Sequence, residues 1–118
     1  MKRSASAVWN GGLKGGNGTF KGETGLGGAY NFGSRFENGT GSNPEELLAA
    51  AEAACFSMAF AGNLEKNGTM PTKVATEAAC TVERSDQGFT ITTMALTVTA
   101  TVPGIDTATS EKIAQQTK

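Results

Sequence analysis

The stretch from Asn43 to Gly68 constrains the fold more than any other part of the chain. Asn43 can accept a hydrogen bond as a helix N-cap, and Pro44 suits the first helical position. Glu45 and Glu46 complement the positive end of a helix dipole, and Glu46 stands at capping-box spacing from Asn43. From Leu47 to Leu64, apolar residues then fall on every side, with Leu47, Leu48, Phe56, Met58 and Phe60 set among many alanines. A helix with so little polar face is predicted to be central and buried, and its alanines allow neighbouring elements to approach closely. Asn67-Gly68 supplies the stop, with Pro71 just beyond.

The flanking segments read as strands. Ser6 to Trp9, Gly18 to Glu23 and Ala29 to Phe36 are predicted strands separated by glycine-rich connections, a meander or its near equivalent. Trp9, Phe20, Tyr30, Phe32 and Phe36 argue that this glycine-rich region packs and is not disordered. After the helix, Val74 to Glu83 and Gly88 to Val102 are rich in Val, Thr and Ile, with a hairpin turn signal at Ser85-Asp86-Gln87-Gly88. Pro103-Gly104 closes the second strand, and Asp106 is placed to cap a last helix through Ile113 and Ala114. The fold class predicted is α+β, with antiparallel sheets packed around a long buried central helix.

The 118 residues fit one domain, 1–118. Apolar residues make up 38%, a low share for so short a chain, and a dimer would cover more apolar surface per copy. A net charge of -1, with scattered basic residues, gives no footprint for nucleic acid or an anionic membrane. No apolar stretch is read as reaching the roughly 18 residues of a membrane span, and the N-terminus does not resemble a signal peptide, so a soluble cytoplasmic protein is expected. There is no histidine, which excludes Ser-His and Cys-His catalysis and His-ligated metal sites. Two cysteines do not make a disulfide scaffold.

Cys55, in the middle of the apolar helix, is the chief chemical candidate. Taken alone it reads first as a small core hydrophobe, since free cysteines are among the most buried residues, with a nucleophile as the competing reading. A reactive thiolate needs a nearby cation or several donors, and a mid-helix position gains little from the dipole. Arg35 is the best candidate cation, on a segment bordered by glycines, with Arg3 and Arg84 as alternatives; unaided, it reads as a solvated surface charge. Glu45 either complements the helix N-terminus or holds Arg35 in a fork-like ion pair, and the two roles are compatible. Cys80 lies within a strand and reads as structural, unpaired with Cys55. Gly15-Gly16-Asn17-Gly18 lacks the Gly-Lys-Ser/Thr ending of a phosphate loop.

Arg35-Phe36-Glu37, the run SNPEELLAAAEAACFSM over Ser42–Met58 and GFTITTMALTVTATVPGID over Gly88–Asp106 together resemble the osmotically inducible protein C family. With the Trp9 strand, the resemblance covers nearly the whole chain. It is closer to that branch than to the organic hydroperoxide resistance branch, which tends to carry Gln at the position of Glu46. The resemblance implies an intertwined homodimer and a cysteine-based peroxidase that reduces organic hydroperoxides, and hydrogen peroxide more weakly, with an external thiol or dithiol reductant and no cofactor. It assigns Cys55 as the peroxidatic cysteine, Arg35 as the cation stabilising its thiolate and Glu45 as the carboxylate holding Arg35. The family's second cysteine follows the helix that begins near Asp106. This chain ends at Lys118, before that motif, so either a truncated chain or a one-cysteine peroxidase is expected.

Glu45 and Cys55 stand ten residues apart on one helix, about 15 Å along its axis. One arginine bridges only part of that gap, so a site shared between two antiparallel copies of the helix is expected. The alternatives are a non-catalytic interaction domain of the same fold, or a carrier that binds a small molecule in an apolar cleft.

Overall fold

The computed structural model describes residues 1–118. Its contacts divide the chain into two compact units, Met1–Leu47 and Leu48–Lys118.

In the first unit, β1 (Ala5–Asn10), β2 (Asn17–Gly22) and β3 (Gly27–Tyr30) form an antiparallel meander in that order. Its register sets Trp9 opposite Gly18, and Gly18 opposite Tyr30. Gly18 is buried between the two rings, and a Cβ there would lie 2.6 Å from Trp9 and 2.8 Å from Tyr30. Without a side chain at Gly18, Trp9 and Tyr30 close to 5.4 Å between ring centroids, tilted by 53°.

The expected strand from Ala29 to Phe36 is corrected by the structure. β3 ends at Tyr30, and a short helix, α1 (Phe32–Phe36), follows. The cause is a reciprocal cap. The Ser34 backbone N–H donates to Asn31 Oδ1 at 2.8 Å, and the Asn31 N–H donates to Ser34 Oγ at 2.8 Å. Phe32 and Phe36, four apart, then stack on one face with centroids 5.0 Å apart.

The long helix α2 (Pro44–Lys66) begins as read. The Glu46 N–H donates to Asn43 Oδ1 at 2.8 Å, while the Glu46 carboxylate takes the Ser42 hydroxyl at 2.8 Å. At the far end, Gly68 takes a positive φ of 85°.

In the second unit, β4 (Lys73–Ser85) and β5 (Gly88–Thr101) form an antiparallel hairpin closed by the expected turn, with a register shift at Thr81/Val82. A final helix, α3 (Thr107–Thr117), is capped by Asp106, which accepts from the Thr109 N–H at 3.1 Å. Phe56, Phe60 and Leu64, on one stripe of α2, meet Ile113 of α3, with Val74, Leu96, Val98 and Ala100 of the hairpin packed around them. Two polar ties add to this core: Ser57 donates to Thr76 at 2.7 Å, and Asn63 donates to Thr117 at 3.0 Å. The architecture is α+β with antiparallel sheets and a long helix, as expected.

Two expectations about α2 change. Within one chain it is not covered all round, because Leu48, Ala51, Ala54, Cys55, Met58 and Ala59 are exposed while the Phe56–Phe60–Leu64 stripe is buried. An all-apolar pattern shows that every face needs a cover, but it does not name the element that supplies it. The expectation that no stretch reaches membrane-span length also fails. By length and composition α2 qualifies, with a mean hydropathy of 1.4, a profile that core helices of soluble proteins share. Alanines raise the mean even where Glu52 interrupts the apolar run.

Candidate functional site

The site grows from α1 and the start of α2. The cap of Asn31 and Ser34 fixes α1, so that Arg35 stands in its last turn. This replaces the strand position expected for Arg35. The connection back to α2 is pinned by three backbone donors: Glu37 and Gly39 to the Gly33 carbonyl at 3.0 and 3.1 Å, and Ser42 to the Ala29 carbonyl at 3.0 Å. Gly41 turns with φ 112°, a conformation that favours glycine. Asn43 Nδ2 donates to the Ser34 carbonyl at 3.2 Å, tying the α2 cap to α1.

Arg35 and Glu45 are thereby brought together. Arg35 Nη2 donates to Glu45 Oε1 at 2.8 Å, and Nε lies 3.2 Å from both carboxylate oxygens. The Glu45 side chain is 10% exposed and that of Arg35 is 32% exposed. The Arg35 guanidinium also lies over the Phe36 ring, 4.9 Å from its centroid. One edge of the guanidinium is held by carboxylate and one face by an aromatic ring, leaving Nη1 outside the ion pair. Burial acts to raise the Glu45 pKa, but hydrogen bonds from Arg35 and from its own backbone N–H, with the charge of Arg35, hold it below the ordinary 4.5.

The other candidates are placed as follows. Cys55 is a free, exposed thiol on α2, in the second unit. Cys80 is a free, half-buried cysteine opposite Met94 in the hairpin. Arg3 donates weakly to the Lys2 carbonyl at 3.5 Å, and Arg84 lies one residue before the end of β4, opposite Phe89; neither forms an ion pair with a carboxylate. No group of His, Cys, Asp or Glu is arranged to hold a metal ion.

Reading residues one at a time missed the aromatic pocket around Arg35. A cavity of about 230 Å³ is lined by Trp9, Leu13, Tyr30, Asn31, Phe32 and Phe36 together with Arg35. Lys14 stands outside it, with Nζ 5.9 Å from the Phe32 centroid. The signals were present in the i, i+4 spacing of Phe32 and Phe36 and the Asn31–Ser34 cap spacing.

Comparison with known proteins agrees with this architecture. Residues 37–118 match the family model described as OsmC-like protein. Peroxiredoxin OsmC of Escherichia coli (strain K12) is 43% identical over 120 residues, covering 100% of this chain and 84% of that protein. The protein of the same name from Shigella flexneri matches to the same extent. Among solved structures, the organic hydroperoxide resistance protein OhrB of Bacillus subtilis superposes with a TM-score of 0.67 at 20% identity, over 97% of this chain and 82% of that one. An OsmC-like protein of unknown function from Vibrio cholerae gives a TM-score of 0.74 at 15% identity, over 99% and 87%. At these identities the two structures speak for the fold alone. The family match over residues 37–118 and the 43% identity along the full chain show that the chain belongs to the OsmC family.

Proposed function

We propose that this protein is a thiol-dependent peroxidase that reduces organic hydroperoxides to alcohols, with Cys55 as the nucleophile. The observation that carries the reading is the side-on Arg35–Glu45 pair. It fixes a guanidinium and leaves one edge free, as a cation must be held if it is to meet a thiolate and a peroxide. The name of the 43% identical relative, a peroxiredoxin, supports the same chemistry.

In this reading the Cys55 thiolate attacks the terminal oxygen of the hydroperoxide. A sulfur–oxygen bond forms as the oxygen–oxygen bond breaks, sulfur loses two electrons, and the alkoxide leaves and takes a proton to become the alcohol. Cys55 is left as a sulfenic acid. An external thiol condenses with it, releasing water, and a second thiol frees Cys55 by exchange. Arg35 stabilises the thiolate and the charge growing on the leaving oxygen, and Glu45 positions Arg35.

The site is shared between two copies of the chain. Glu45 and Cys55 lie about 15 Å apart along α2, and antiparallel packing of two such helices brings the Arg35–Glu45 pair of one protomer to the other protomer's thiol. The exposed stripe of Leu48, Ala51, Cys55 and Met58 supports this arrangement.

The test is to add one equivalent of cumene hydroperoxide to the reduced protein and read its intact mass. A gain of oxygen on the wild type, absent in Cys55→Ser, kept in Cys80→Ser and reversed by a dithiol, is expected. No gain at an excess that oxidises glutathione would leave a non-catalytic member of the family.

A further inference from the structure

We propose that Asn10 is a site of spontaneous deamidation, and that the isoaspartyl link formed there releases the loop behind Trp9. The chemistry needs no enzyme and stands apart from the peroxidase reading.

Asparagine followed by glycine is the pair most open to this reaction, because glycine sets no side chain against the attacking nitrogen and lets the backbone turn. The chain has four such pairs, Asn10-Gly11, Asn17-Gly18, Asn38-Gly39 and Asn67-Gly68. The glycine backbone nitrogen gives up its proton and attacks the asparagine Cγ. A carbon–nitrogen bond forms, the side-chain nitrogen leaves as ammonia, and a cyclic succinimide results. Water then opens the ring at either carbonyl, giving an aspartate or an isoaspartyl link that runs the main chain through the side chain. One water is consumed and one ammonia released, with no oxidant or reductant. A nitrogen whose N–H already donates is held back from this attack until a local opening frees it.

Three of the four nitrogens are held. The Gly39 N–H donates to the Gly33 carbonyl at 3.1 Å. The Gly68 N–H donates to the Glu65 carbonyl at 2.9 Å, and the Asn67 side-chain amide donates to Thr69 Oγ1 at 3.3 Å. Gly18 is buried in β2, paired with Trp9 on one side and Tyr30 on the other, so the ladder fixes the backbone beside Asn17.

The fourth is open. Asn10 ends β1, Gly11 follows it, and both are exposed to the water that opens the ring. The Gly11 N–H donates to no carbonyl, and the Asn10 side chain makes no hydrogen bond. Gly11 has a φ of 92° and Gly68 one of 85°, so a left-handed glycine is common to an open pair and a held one. The hydrogen bond is what separates them.

Position 10 is also where such a change has consequences. The Trp9 indole N–H donates to the Gly12 carbonyl at 3.2 Å, and the Gly16 N–H donates to the same oxygen at 2.9 Å. These two bonds close the loop that carries Leu13 and Lys14. A Cβ at Gly16 would lie 2.5 Å from the Asn10 carbonyl oxygen, so the loop has no slack. An isoaspartyl link adds one methylene to the backbone between Trp9 and Gly12 and brings a negative charge, which moves the shared acceptor away from the indole.

The full-length protein is held for days in warm, mildly alkaline buffer. Peptide mapping gives the conversion at each asparagine, and an isoaspartyl methyltransferase with labelled S-adenosylmethionine counts the isoaspartyl links. Conversion at Asn10 is expected to be about tenfold faster, or more, than at Asn17, Asn38 or Asn67, and to quicken as pH rises. The emission of Trp9, the single tryptophan, should shift in step with it. In urea strong enough to unfold the chain, the four pairs should convert at similar rates, since the fold no longer holds three of them. Asn10→Gln, whose longer side chain closes a ring far more slowly, should lose most of the methyl acceptance and keep its emission through the same incubation. Equal conversion at the four pairs in the folded protein, or the same preference for Asn10 in urea, would overturn the assignment to structure. Conversion at Asn10 with unchanged Trp9 emission would overturn the release of the loop.

Discussion

Arg35 and Glu45 meet side-on, with Nη2 2.8 Å from Oε1 and Nε 3.2 Å from both carboxylate oxygens, so the carboxylate fixes the plane of the guanidinium as well as its position. Arg35→Lys keeps the charge but loses the plane. Cys55 oxidation by cumene hydroperoxide should slow by about 10²-fold or more, the scale of losing one preorganised donor. Glu45→Gln should slow it less and destabilise the protein by about 1–2 kcal/mol, between the values for exposed and buried pairs, since Arg35 is a third exposed. Stopped-flow oxidation and urea midpoints read the two effects. Full activity in Arg35→Lys would remove Arg35 from the chemistry.

The same pair sets a pH dependence. The folded Glu45 carboxyl sits below its ordinary 4.5 despite burial, because Arg35 and the backbone N–H favour the charged form. The unfolded chain therefore takes up this proton first as pH falls. The contribution is complete above about 4.5 and is lost as pH drops through the lower folded value. Urea midpoints of the wild type should fall more steeply below pH 4.5 than those of Glu45→Gln. Parallel curves would mean that Glu45 does not couple folding to protonation.

Much of this arrangement was legible in the residues. Asn43, Pro44 and Glu46 announced the start of α2, Asp106 announced α3, and the hairpin turn was marked by Ser85-Asp86-Gln87-Gly88. The stretch 31–36 was not, because Tyr30, Phe32, Arg35 and Phe36 look like a continuation of aromatic strand pattern. What decides it is local, a side-chain cap between Asn31 and Ser34 that competes with sheet pairing. The aromatic pocket was hidden for a different reason. It is assembled from β1, the loop after it, β3 and α1, and no single window contains it.

The second unit's core is small enough that one residue matters. Leu64 is fully buried and Phe60 is 2% exposed. Leu64→Ala should cost about 2–5 kcal/mol, a large part of the roughly 5–15 kcal/mol available to a domain. Met70→Ala, at an exposed position, should stay within about 0.5 kcal/mol. Chemical unfolding measures both. A small effect at Leu64 would mean the core collapses around the gap.

Gly18 tests the meander and the pocket together. An alanine there would press its Cβ into Trp9 and Tyr30, and the rings must part. Gly18→Ala should cost about 1–3 kcal/mol, the usual scale for overpacking, and shift the Trp9 emission. Gly27→Ala is the matched control on the neighbouring strand, because its Cβ would meet the Phe20 carbonyl at an ordinary 3.4 Å. Identical spectra for both variants would mean that the Trp9–Tyr30 contact is not set by Gly18.

The exposed stripe on α2 makes the last test. Leu48 is 46% exposed and Met58 is 81% exposed, with Cys55 between them on the same side of the helix. If two copies cover this stripe against each other, Met58→Glu places an unpaired charge inside an apolar contact, at a cost of several kcal/mol. Light scattering should then show the wild type as a dimer and Met58→Glu as a monomer at the same concentration. The shared-site reading adds a second consequence. The monomer keeps its Arg35–Glu45 pair, and with it the acid dependence of stability, but loses the cation that its Cys55 takes from the partner. Peroxide oxidation of Cys55 should therefore fall as the dimer is lost and recover at high protein concentration. A Met58→Glu monomer that is still oxidised at the wild-type rate would show that each chain activates its own thiol.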